Sequence, residues 1–341
     1  MGSIEDSQPP SFEDLGIPIV SHTRVTALGK IRSLASLDRL EWAFLVGSLL
    51  ATLATAGLGT ARLLSLPPQS DDRVFVWLLL LTAGFALVYS VNGVLREQVY
   101  ELLVYALTAA VLAVYVLLNY LDPDTPRGAI KLARLVVAGL CSPPLVVLAV
   151  TLAGRYWQCG ELVFRTVGAN PALQRACRRV LTAQSLLKLD AQLALSTALL
   201  VVRAGGPLSP AETAVLAAGA PLSLLWWAAG YAALRWESAR AVRWLLAPTG
   251  LLEPAYIVWR LATERRPDGV LLQCERAAGA LALLVRLLLV ICLLSCANKF
   301  GLGVSEHMYP ARRPGGGDRP PRYGSFGSSG QATPRRPAGS Q

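Results

Sequence analysis

The chain has 341 residues, 53% of them hydrophobic and only 16% charged, with a mean hydropathy of +0.46. Soluble domains carry roughly a quarter of their residues as charges, so this balance excludes an ordinary soluble fold. The net charge of +10 comes from 32 Lys and Arg against 22 Asp and Glu. These charges sit between apolar blocks and in the tails, which points to membrane lipid headgroups as the partner and not to nucleic acid.

Residues 1–40 are polar, carry no secretory signal core, and are expected as a cytosolic N-terminal segment. The chain opens Met1-Gly2, but Asp6 stands where a myristoylation site needs Ser or Thr. Ile31, Leu34 and Leu37, with Lys30, Arg32 and Arg39 alongside, form a short amphipathic stretch expected at the membrane interface.

Residues 41–298 read as a transmembrane helical domain. Eight apolar blocks of about twenty residues, each long enough to cross a hydrocarbon core, fall at 42–63, 74–95, 99–121, 132–154, 180–202, 211–234, 242–261 and 277–297. The expected fold class is therefore all-α, a polytopic transmembrane bundle of about eight spans. A polar loop is expected over 155–179, where Gly168-Ala169-Asn170-Pro171 interrupts a helical pattern. The seventh block is irregular, holding Pro248, Gly250, Glu253 and Pro254. A broken helix, a re-entrant loop and a pair of interfacial helices all fit it. Eight crossings place most of the loop arginines on one side, with both termini cytosolic, as the positive-inside rule requires.

The tail, 299–341, is rich in Pro, Gly and Arg and too poor in apolar residues to fold, so it is expected to be disordered. Within it, Tyr323-Gly-Ser-Phe326 has the Tyr-x-x-apolar form of a sorting signal for a cytosolic adaptor. Ser325, Ser328, Ser329 and Thr333 lie among its arginines as phosphorylation candidates.

Ionisable groups inside spans are functional suspects. Lys188 and Asp190 lie eight and ten residues into the fifth block, roughly 12–15 Å deep at helical rise. Gln184, Lys188 and Gln192 share one helix face, and Asp190 points about 200° away from Lys188. The two therefore need partners on other helices. Arg286, central in the eighth block, suits Asp190; Glu253 or Glu101 suits Lys188. Gln184, Lys188, Asp190, Gln192, Glu253 and Arg286 together form a candidate polar intramembrane site. It is suited to an ion, a proton or a small anionic solute. The competing reading of the same residues is a structural ion-pair network that fixes helix register.

His22 and His307 both lie outside the blocks, and no nucleotide-hydrolysis, zinc-protease or serine-hydrolase motif occurs. No cofactor or metal is expected, and a non-enzyme is favoured. The six cysteines, at 141, 159, 177, 274, 292 and 296, form no Cys-x-x-Cys. They read as apolar packing, with S-acylation the alternative for Cys159, Cys177 and Cys296. A transporter or channel-like protein, a membrane scaffold or trafficking adaptor, and a membrane enzyme remain as competing roles.

The stretch VGANPALQRACRRVLTAQSLLKLDAQLAL and the later NKFGLG resemble a group of poorly characterised eukaryotic multispan membrane proteins, chiefly fungal. The resemblance covers roughly residues 40–304. It implies eight spans and a cytosolic C-terminus, and it brings no activity.

Overall fold

A computed structural model describes residues 23–26, 29–65, 72–121, 128–159, 163, 167, 170–203, 210–263, 270–301 and 303–309. The tail, with Tyr323 and Phe326, lies outside these residues, as do residues 1–22. Nine α-helices are labelled here: α1 (Arg39–Ser65), α2 (Asp72–Leu95), α3 (Val99–Leu121), α4 (Ala129–Cys159), α5 (Pro171–Arg203), α6 (Pro210–Arg235), α7 (Leu252–Thr263), α8 (Val270–Ala297) and α9 (Val304–Met308).

The exterior is apolar and the charges are inside. Leu50, Leu53, Val111, Leu140, Val147, Leu287 and Ile291 face outward, whereas Glu101, Lys188, Asp190 and Arg286 are buried. That inversion suits hydrocarbon surroundings, where an outward leucine costs nothing and an outward charge is expensive. Among the described residues, four helices are long and apolar enough to cross a membrane: Arg39–Ser65, Arg73–Leu95, Ala129–Gln158 and Arg276–Ala297. The chain is a membrane-embedded, multi-pass helical protein. The number of helices that meet this standard is four, half the number expected. Helix α5 carries Arg178, Arg179, Lys188 and Asp190 within its length, which lowers its hydropathy. The apolar run credited to α3 is the shorter Val99–Val114.

The seventh block is a broken helix. It opens with a π-helical stretch, Ala241–Leu246, continues as a single turn, Ala247–Thr249, and resumes as α7 after Gly250-Leu251. Pro248 and Pro254 cannot donate backbone hydrogen bonds, which weakens the ladder on both sides of the break. Gly250 is required by close approach: a Cβ there would stand 2.8 Å from the Leu246 carbonyl oxygen and 3.1 Å from the Trp226 ring.

Asn170-Pro171 starts a helix within the stretch read as a polar loop. Asn170 accepts backbone hydrogen bonds from Ala172 (3.0 Å) and Leu173 (3.4 Å), and Pro171 takes the first helical position, where a missing N–H costs nothing. Helix α5 therefore starts eight residues ahead of the expected loop end at 179. The N-terminal amphipathic stretch is also divided. An antiparallel hairpin pairs Thr23–Thr26 with Gly29–Arg32, and a 3-10 turn follows at Leu34–Ser36. Leu34 is exposed, while Leu37 packs on the α1 core.

The helices form two halves with one plan. In the first, α1 packs on both α2 and α4, and α3 packs on α2 and α4. In the second, α5 packs on both α6 and α8, while the broken segment packs on α6 and α8. The turns after α2 and α6 match in detail. Each places a glutamate in the left-handed region, Glu97 at φ 49° and Glu237, 140 residues later, at φ 48°. Gln98 N–H donates to the Gly93 carbonyl (2.8 Å) and Ser238 N–H to the Ala233 carbonyl (3.0 Å). The halves meet where α2 and α3 pack against α5.

Candidate functional site

Helix α5 meets polar residues of both halves, and its two polar faces look in opposite directions. One face meets α2, α3 and the turn between them. Gln184 Oε1 accepts a hydrogen bond from Arg96 (3.1 Å), and Ser185 Oγ donates to Gln98 Oε1 (2.8 Å). One turn on, the Lys188 ammonium pairs with the Glu101 carboxylate, and one turn further Tyr89 Oη donates to Gln192 Oε1 (2.9 Å). Glu101 and Gln184 have no exposed surface. Lys188 lies one helical turn, about 6 Å of rise, beyond Gln184 along α5.

The other face meets α8. The Asp190 carboxylate lies 2.7 Å from Arg286 Nε, and the Arg286 guanidinium also pairs with Glu253 through its Nη2. The Nε contact is close in distance but off-line, so it is an ion pair without a directed hydrogen bond. Asp190 and Arg286 are each 4% exposed. The Trp226 ring covers the guanidinium at 4.1 Å, and its Nε1 donates to the Leu246 carbonyl (3.3 Å) and Thr249 Oγ1 (3.2 Å). The tryptophan thus holds the broken segment where Glu253 reaches Arg286. A π-helical stretch re-aims the residues that follow it and is frequent at functional sites. Arg286 lies twelve residues before Asn298, about 18 Å along α8 from the end of the helix. This is the deep layer.

The six residues read from the sequence therefore divide. Gln184, Lys188 and Gln192 belong to the layer on the α2–α3 side of α5; Asp190, between Lys188 and Gln192 along the helix, joins Glu253 and Arg286 in the layer on the α8 side, called deep for its distance from the end of α8. Of the two carboxylates open to Lys188, Glu101 takes it, and Glu253 goes to Arg286. Sequence reasoning missed Arg96, Gln98, Ser185 and Tyr309 as members of the first layer. Arg96 and Gln98 read as ordinary polar turn residues at a helix end. Tyr309 falls in the stretch read as a disordered tail, yet its Oη accepts a hydrogen bond from Gln184 Nε2 (2.6 Å).

A third charged group ties the N-terminal segment to the bundle. Arg32 pairs with Glu41 (2.8 Å) and Glu97 (3.3 Å), and Tyr156 Oη donates to Glu41. Burial works against the Arg32 charge, but Glu41 and then Glu97 outweigh it, and the arginine is held above its ordinary pKa. A groove of about 480 Å³ lies on α6, lined by Trp227, Tyr231, Arg235 and Trp236, and borders the first layer where Tyr231 and Arg235 meet Tyr309. Among the described residues no cluster of three or more His, Cys, Asp or Glu side chains is placed to hold a metal ion.

An apolar-faced helical bundle with charges sealed inside it defines an integral membrane protein. Residues 28–154 and 167–305, most of the chain, match the family described as a domain of unknown function, DUF7789, and the chain belongs to that family. The two matched stretches fall on the two halves of the fold. No curated protein and no solved structure matches the chain.

Proposed function

We propose that this is an eight-span transporter-type protein whose deep layer binds a proton. The observation that carries the reading is the charge count at Arg286. Two carboxylates, Asp190 and Glu253, share one buried guanidinium, so the fully ionised group holds an extra negative charge. Two carboxylates that face each other across a single cation favour taking up one proton between them. The tight burial of Asp190 and Arg286 favours a proton over a hydrated ion. The layer on the α2–α3 side has the opposite imbalance, with Arg96 and Lys188 against Glu101.

The eight-span count is supported by the matching halves. Four helical passes in each half give both the same orientation, the arrangement of parallel-repeat transporters, and they bring the N-terminal segment and the end of α8 to one side. A cytosolic location for both termini follows from the positive-inside distribution of arginines.

The test is proton flux in proteoliposomes holding the full chain, driven by a potassium diffusion potential and read by a pH dye in the lumen. Parent protein is expected to move protons, and Asp190→Asn, folded by size-exclusion and helical content, to lose about tenfold or more of that flux. Undiminished flux in the folded variant would sink the reading. A parent without flux would favour the competing reading of a sealed ion-pair network that fixes register.

A further inference from the structure

Beyond the end of α8 the chain turns back over the bundle. Gly301 and Gly303 adopt φ 92° and 74°, a left-handed conformation that glycine enters without cost, and α9 follows. Val304 and Met308 are buried in the same cluster as Leu173, Cys177 and Val180 of α5. Tyr309 then stands on Gln184, and the Arg235 guanidinium lies over its ring at 5.2 Å. Arg243 donates to Asn298 Oδ1 at the start of this segment (2.9 Å), and one side chain clasps its backbone. The Glu237 carboxylate accepts hydrogen bonds from Gly301 N–H (2.9 Å) and Ser305 N–H (2.6 Å), the second in the first turn of α9.

We propose that residues 298–301 and 303–309 are a plug over the polar layer of α5, and that Glu237 is its latch. Three observations converge on this. A carboxylate against backbone N–H groups makes charge-assisted bonds, stronger than neutral ones, and Glu237 accepts both from Ser305 in the first turn of α9 and from Gly301 before it. The glutamate does this from φ 48°, a conformation that costs a non-glycine residue and that a glycine would fill more easily. The matching glutamate of the first half, Glu97, at φ 49°, clasps Arg32 of the N-terminal segment. Each half thus uses its turn glutamate to hold a terminal segment across the same end of the bundle. The plug ends on Gln184, which holds Arg96, and lies one helical turn from the Lys188–Glu101 pair. Releasing Glu237 uncovers that layer. The inference stands on these contacts and not on proton binding, so its failure leaves the deep layer untouched.

Cys177 reports the latch without any added probe. It is 1% exposed beneath the plug, and burial pushes its thiol up to about 12, so it is both covered and un-ionised. The experiment labels the full-length protein in nanodiscs with N-ethylmaleimide and maps the modified cysteines by mass spectrometry. Glu237→Gly removes the carboxylate and keeps the turn, since glycine is at ease there. The expected result is a rise of about tenfold or more in the Cys177 labelling rate, with Cys141 of α4 unchanged. Tyr309→Phe, which removes the hydroxyl's bonds to Gln184 and Tyr231 and keeps the carboxylate latch, should raise the Cys177 rate by a smaller factor. Parental protection of Cys177 in Glu237→Gly would overturn the proposal. So would an equal rise at Cys177 and Cys141, because that reports opening of the whole bundle.

Discussion

Glu101 and Lys188 each exist as a buried ion on the strength of the other. Glu101 has no exposed surface, Lys188 almost none, and Ser185 and Arg96 are further neighbours of the carboxylate. Removing one partner leaves the other charge unpaired in a dry site, which costs about 3–5 kcal/mol, while removing both is far cheaper. Glu101→Gln is therefore expected to lower the thermal unfolding midpoint in detergent sharply, and Glu101→Gln with Lys188→Met to recover most of the loss. A double variant no more stable than the single one would show that the pair is not coupled. At this scale the sequence was informative about which residues are charged and deep. The residues that answer them were less legible, because Arg96 and Gln98 read as solvated turn residues until α5 and the terminal segments are packed over them.

Between α5 and α6 the contact rests on a missing side chain. A Cβ on Gly230 would lie 2.8 Å from Leu187 Cδ2, and Leu187 is fully buried, with no room to retreat. Gly230→Ala is expected to destabilise the fold by about 1–3 kcal/mol through overpacking. Gly84→Ala is the control: nothing lies within 4 Å of its added Cβ, and alanine favours a helix over glycine by about 1 kcal/mol. Unfolding midpoints read side by side should move in opposite directions; equal shifts would mean that α5 and α6 are not in close contact. Among the elements, most helix positions were legible from block length and hydropathy. The start of α5 was not, because Asn170-Pro171 serves equally as a breaker and as a helix start, and only the Asn170 hydrogen bonds distinguish the two. The repeat was also illegible. Glu97 follows Leu95-Arg96, but Glu237 follows Arg235-Trp236, so the turns match in backbone and not in sequence.

Across the whole molecule, the two halves meet at α5, and the charges gather there because α5 is the helix that both halves cover. The apolar exterior and the buried charges agree on a membrane bundle. Its distinctive element is the deep layer, where Asp190 and Glu253 divide one guanidinium. The most direct measurement of proton binding there is infrared spectroscopy of the full chain in lipid, at neutral pH, following the C=O stretch that only a protonated carboxyl shows. The expected spectrum contains a buried protonated-carboxyl band that is lost in both Asp190→Asn and Glu253→Gln, with Glu101→Gln as the variant that retains it. A spectrum without that band, or one whose band survives both deep-layer substitutions, would contradict proton binding between Asp190 and Glu253.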